Sequence, residues 1–171
     1  EKGLMLNINI STELPKNIYG DQDRIEQIIK NFISNAFKFT KQGSIDLSIH
    51  RPNPDVNLTE SGQDIKHTIA IAVSDTGLGI LPANQKIIFE AFRQADGTTS
   101  REYGGTGLGL SISNELAKSM GGEIQLQSEK GKGSTFNVYL PEKIEVRPPF
   151  ESKNDESISP KVNIMPDFTG T

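Results

Sequence analysis

Five short segments of this chain alternate apolar and polar side chains, and that period of two constrains the fold more than any other feature. They are LMLNINI (4–10), SIDLSIH (44–50), HTIAIAV (67–73), GEIQLQS (122–128) and STFNVYL (134–140). In the second, Ile45, Leu47 and Ile49 share one face, while Asp46, Ser48 and His50 share the other. Ile69, Ile71 and Val73 repeat the arrangement in the third. Strands of this kind need a covering layer on one side only. Between the second and third lies RPNPDVNLTESGQDIK (51–66), whose prolines, asparagines and aspartates predict a long surface hairpin loop.

The cover comes from helices. Ile25, Ile28, Ile29, Phe32, Ala36 and Phe39 fall on one side of a helix over about 21–40. A second helix spans about 107–120, with Leu108, Ile112, Leu116 and Met120 on one face and Gly121 as its stop. A short third helix is expected within ANQKIIFEAF (83–92). The order strand, helix, two strands, helices, two strands predicts an α+β fold, a two-layer α/β sandwich. Its mixed, mainly antiparallel sheet has about five strands and about three helices on one face. From about Pro141 the pattern dissolves, and five of the nine prolines lie there. Residues 1–141 therefore read as the domain, and 142–171 as a linker or tail without its own core.

Composition narrows the function. A net charge of −4 argues against a cationic face for nucleic acid. The absence of cysteine excludes disulfides and Cys-based zinc sites. His50 and His67, the only histidines, suit surface positions near the hairpin. No apolar run reaches transmembrane length and no signal peptide opens the chain, so it reads as a fragment of a cytoplasmic protein.

Three stretches remain that a fold alone does not require. On the first helix Arg24, Gln27, Asn31, Asn35 and Lys38 form a polar stripe bordering the apolar face. It is either an ordinary solvated flank or a place where amide oxygens meet a hydrated Mg²⁺ and the ammonium meets phosphate. DTGLGI (75–80) follows the third strand directly. It is either a capped turn or a wall in which the Asp75 carboxylate accepts from an exocyclic amine. GGTGLGL (104–110) has four glycines in seven positions and runs straight into the second helix. It is either a flexible linker or a phosphate site at a helix N-terminus. It has neither the lysine of a P-loop nor the spacing of a dinucleotide fingerprint.

Together, NFISNAFKFT, DTGLGI, IFEAFRQAD, GGTGLGLSI and GKGSTF resemble, in order, the five boxes of histidine-kinase ATP-binding domains. The resemblance runs from Asp23 to Leu140 and implies a Bergerat-type sandwich that clamps ATP under a mobile lid. Residue by residue, it makes Asn35 the principal Mg²⁺ ligand and puts Asn31 beside the metal and phosphates. Lys38 becomes the phosphate-contacting cation, and Phe39 the aromatic beside adenine. Asp75 accepts from the adenine amine, with Gly77, Gly79 and Ile80 shaping that wall. Phe89 and Phe92 anchor the lid, and Arg101 reaches the γ-phosphate. Gly105, Thr106, Gly107, Leu108 and Gly109 face the phosphates, and Thr135 lies near the adenine. Residues 96–106 are expected to be a lid that orders over bound nucleotide.

The wider superfamily also contains ATP-hydrolysing members, in which a glutamate four residues before the metal asparagine activates water. Here that position is Asn31, whose amide cannot act as a general base. Transfer to a histidine on a separate dimerisation domain is the expectation, with a response regulator or fused receiver downstream. The full-length protein is expected to be a membrane-anchored homodimer. An ATP-hydrolysing clamp and a nucleotide-binding-only module are the alternatives.

Overall fold

The computed structural model describes residues 2–90 and 108–143. Five strands form one open sheet: β1 (Met5–Ile10), β2 (Ser44–His50), β3 (Thr68–Asp75), β4 (Glu123–Glu129) and β5 (Gly133–Pro141). Their order across the sheet is β1-β2-β3-β5-β4. Only β1 and β2 run parallel, so the sheet is mixed and mainly antiparallel, as expected. All five alternating segments became strands, within two residues at each end.

Among the described residues two α-helices, α1 (Gln22–Phe39) and α2 (Gly109–Ser119), lie on one face. Ile28, Phe32 and Ala36 of α1 and Ala117 with Met120 at the end of α2 meet Ile45, Ile69, Ile71, Val73, Phe136, Val138 and Leu140 from the sheet. The Phe32 and Phe136 rings are 5.2 Å apart between centroids, and Phe89 joins Phe136 edge-on. Asp21 starts α1 by accepting from the Arg24 N–H at 3.1 Å. The end of α2 is a Schellman turn: Gly121 takes φ 74°, and the Gly122 and Gly121 N–H groups donate to the Ala117 and Lys118 carbonyls.

Three expectations need correction. The described part of 83–92 holds two 3-10 turns, Pro82–Asn84 and Ile87–Phe89, in place of a regular helix. Its carbonyls are taken at i+3, and Glu90 is already extended. The buried face of α2 is also displaced from the predicted one. Ile112 is 41% exposed, whereas Ser113 and Ala117 are essentially fully buried. The reason is α1: Gly109, Ser113 and Ala117, four residues apart, let the two helices approach closely. A Cβ on Gly109 would stand 2.3 Å from the Asn31 Oδ1.

Finally, the 51–66 loop does more than run over the surface. Leu58 folds back onto the sheet face opposite the helices and packs with Ala70 and Tyr139. The Ser61 N–H donates to the buried Glu123 carboxylate at 2.7 Å, and Gln63 donates to the Gly121 carbonyl. The sheet thus has a small second core where a one-sided cover was expected. Beyond β5, Glu142 stays attached to the sheet through Arg51 and through its N–H to the His67 carbonyl. The Arg51 hydrogen bond holds the Glu142 carboxyl below its ordinary value. His67 is 75% exposed, as expected for a surface histidine.

Candidate functional site

The C-terminal turn of α1 and the loop after β3 form one wall. Asp75 ends β3 on the same face as Ile71 and Val73, and so points toward the helix layer. Its carboxylate accepts from the Gly77 N–H at 2.8 Å and from the Ser134 N–H. The Thr40 hydroxyl, fully buried, lies beside the same carboxyl without a well-aligned hydrogen bond. Burial raises the Asp75 pKa above the ordinary aspartate value, and the Gly77 and Ser134 N–H groups oppose that rise.

The loop itself is held from two sides. The Leu78 N–H donates to the Phe39 carbonyl of α1, and the Leu78 carbonyl accepts from Gly131 in the β4–β5 hairpin. The Ile80 N–H donates to the Ser128 hydroxyl at 2.8 Å. Gly77 lies so near α1 that a Cβ there would be 2.5 Å from the Phe39 carbonyl oxygen. Gly79 adopts φ 64°, a backbone that side chains with a Cβ rarely take. The motif is therefore a fixed piece of architecture pressed against the last turn of α1.

That turn carries Lys38 and Phe39, with the Lys38 ammonium 4.9 Å from the Phe39 ring centroid. One and two turns earlier come Asn35 and Asn31, both half-buried. The Asn31 amide N–H donates to the Ser113 hydroxyl of α2 at 2.9 Å, which leaves its oxygen facing Gly109 at the start of α2. Arg24 reaches Ser119 in the same way. The stripe is thus not simply a solvated flank: Gln27 is exposed, but Asn31 and Arg24 form part of the seam between the helices.

The structure thus brings Asn31, Asn35, Lys38, Phe39, Asp75, Gly77, Gly79 and Ile80 to one side of the helix layer, with Leu108 and Gly109 entering α2 alongside. Among the described residues, the N-cap position of α2, Leu108, supplies no side-chain cap to the helix. Arg101, Gly105, Thr106, Gly107 and Phe92, with the expected lid at 96–106, lie outside the described residues.

Thr135 is placed differently from expectation. Strand alternation puts it on the face opposite the helices, where its hydroxyl bonds Ser74 at 2.8 Å. It lines a shallow depression of about 360 Å³ beside Asp75. The hydroxyl residue on the face of Asp75 is Ser134, which is opposite Asp75 in the sheet and buried. Counting in twos back from Phe136, a core residue, would have identified it. Thr40 was missed because a helix-ending threonine carries no sign of what it will meet.

Comparison with known proteins agrees with this geometry. The profile of the histidine kinase-, DNA gyrase B- and HSP90-like ATPases matches residues 20–144. The BarA signal transduction histidine-protein kinase of Escherichia coli K12 is 43% identical over 140 residues, covering 82% of this chain and 14% of the relative. The Vibrio cholerae autoinducer 2 sensor kinase/phosphatase LuxQ is 40% identical over 148 residues, covering 86% and 16%. The chain therefore spans about a sixth or less of these relatives. Full-length ShkA in complex with AMPPNP superposes with a TM-score of 0.68 at 32% identity, covering 85% of this chain and 27% of that one. The mycobacterial sensor histidine kinase MprB shares the fold, with a TM-score of 0.62 at 19% identity over 83% of this chain and 84% of that one. The chain belongs to the family of histidine kinase-, DNA gyrase B- and HSP90-like ATPases, and within it to the ATP-binding domains of sensor histidine kinases.

Proposed function

We propose that this chain binds Mg-ATP between α1, the Asp75 loop and the start of α2, and presents the γ-phosphoryl group to a histidine on a separate domain. One observation carries the reading: a half-buried carboxylate at Asp75 and the amide–lysine stripe of α1 are joined through the Leu78 to Phe39 hydrogen bond. A base-recognising acceptor and phosphate-side groups thus share one rigid wall. Asp75 would accept from the adenine amine, Phe39 would flank the ring, and Lys38 would meet phosphate.

The residues present suit Mg²⁺ in partnership with a nucleotide. Among the described residues no group of three or more His, Asp or Glu side chains gathers to hold a metal. The neutral oxygens of Asn35 and Asn31 suit an ion that brings phosphate oxygens and water as its other ligands. When bound, Mg²⁺ would offset phosphate charge during transfer. The α2 N-terminus, with Gly105, Thr106 and Gly107 before it, would face the anion, and Arg101 would approach the γ-phosphate.

Transfer is favoured over hydrolysis because position 31 is an amide that already spends its N–H on Ser113. The acceptor histidine domain, a response regulator or fused receiver, a homodimeric full-length protein and a membrane anchor complete the proposal. Among the described residues no helix is long and apolar enough to cross a membrane. This domain would work on the cytoplasmic side, with 142–171 as its linker onward. The test is mass spectrometry of the full-length protein after incubation with Mg-ATP. A phosphohistidine outside residues 1–171, lost in Asn35→Ala, is expected. Steady phosphate release without any phosphohistidine would overturn the reading in favour of an ATPase.

A further inference from the structure

The last turn of α1 lacks the usual means of ending a helix. Thr40 follows it in an extended conformation, with φ −103° and ψ 119°, so no left-handed glycine folds back on the final carbonyls. The four carbonyls at the end are nonetheless all engaged. Ala36 accepts from the Thr40 N–H, and Phe39 accepts from the Leu78 N–H. The remaining two, Phe37 and Lys38, accept from one ammonium group, that of Lys2, at 2.7 and 3.3 Å. The same group reaches the Thr40 carbonyl at 3.3 Å. A cation at this end of a helix also meets the negative pole of its dipole.

We propose that Lys2 is a positioning residue for the nucleotide site. Its ammonium closes the turn that carries Lys38 and Phe39, and so couples the segment entering β1 to the tightness of nucleotide binding. The coupling has a short physical route. The carbonyls that Lys2 contacts, at Lys38 and Thr40, flank the Phe39 carbonyl on which Leu78 docks, and Leu78 lies three residues beyond Asp75. Met5, three residues after Lys2, donates to the Gly43 carbonyl, and Ser44 next to it accepts from the Thr76 N–H. Movement of the entering segment away from α1 would free the Phe37 and Lys38 carbonyls to water. The helix end would then fray where the phosphate-side lysine and the base-side aromatic sit. No glycine or capping pattern in the sequence advertises this role.

This inference rests on the proposed nucleotide site, and the experiment separates the two. Lys2→Met keeps the length of the side chain and removes the charge, while Lys2→Arg keeps the charge. The full 171-residue chain is titrated with Mg-AMPPNP, and amide hydrogen exchange is followed at Thr40 and Leu78 without nucleotide. Expected results are a Kd raised about three- to tenfold in Lys2→Met, faster exchange at both amides, and recovery of both in Lys2→Arg. Binding intact in the wild type with an unchanged Kd in Lys2→Met would overturn the role of Lys2 and leave the site standing. An equal loss in Lys2→Arg would also overturn it, because charge would then not be the cause. Failure of the wild-type chain to bind Mg-AMPPNP at all would sink the nucleotide reading, and this inference with it.

Discussion

The two helices end in opposite ways, and the difference follows the site. α1 begins with a cap from its own neighbour, Asp21, and finishes on groups from elsewhere, Leu78 and Lys2. α2 finishes on its own Schellman turn at Gly121, and at its start, among the described residues, the N-cap Leu108 supplies no side-chain cap. The self-capped ends lie away from Asp75 and the other two lie toward it. A helix end satisfied by its own sequence is finished locally, whereas an end left to other segments can respond to them or to a ligand. The far ends are thus closed by residues next to them in sequence, while the near end of α1 is held through contacts with distant segments.

That contrast breaks most visibly in the middle of α1. Phe32 is fully buried against Phe136, so Phe32→Ala should destabilise the domain by about 3–5 kcal/mol, as large-to-small core changes do. Urea denaturation would show it, and the exposed Ile112 provides the control: Ile112→Ala should cost far less. Similar losses at the two positions would mean that the α2 face has been misplaced.

Next in size is the near end. Asp75→Asn replaces a half-buried acceptor with an amide that presents a mismatched donor to an amine. The loss of a charged hydrogen bond there is about 1.5–3 kcal/mol of binding, or roughly ten- to a hundredfold in Kd. Calorimetry with Mg-AMPPNP measures it, and an unchanged affinity would remove Asp75 from base recognition. The same carboxyl predicts a pH dependence. Its folded pKa is raised, so the neutral form is favoured by folding, and its contribution to stability is present at low pH and lost as pH rises through the raised value. Binding should run the other way, weakening as pH falls through that value while the fold holds. Loss of binding that tracks loss of the fold would contradict this.

The smallest effect belongs to the far end. Asp21→Ala removes the cap and its contact with the Arg24 guanidinium, and should cost about 1 kcal/mol of stability. Nucleotide affinity should stay within error of the wild type. A change in affinity as large as that of Asp75→Asn would erase the distinction between near and far ends.

The strands were legible because alternation with a period of two survives any particular tertiary arrangement: Ile45, Leu47, Val73 and Phe136 face the helices wherever the strands sit. The start of α1 and the end of α2 were equally plain, since Asp21 and Gly121 act on backbone within a few residues of themselves. Asn31, Asn35, Lys38 and Asp75 could be singled out as residue types that a core alone does not explain. Their assembly into one wall was not written in any local pattern. It depends on Leu78 reaching Phe39, on Gly109 admitting Asn31, and on a lysine 35 residues before Phe37 reaching its carbonyl. The same limit explains the loop at 51–66, whose proline-rich composition predicted a surface path but not the burial of Leu58 under Tyr139. Likewise Ile112 has the same spacing as Leu116, but a close helix crossing chose the small side chains for the inside. Sequence determines what acts through neighbouring backbone, namely period, caps and turns. Contacts between distant segments depend on how closely two elements can approach, and only the folded chain decides that.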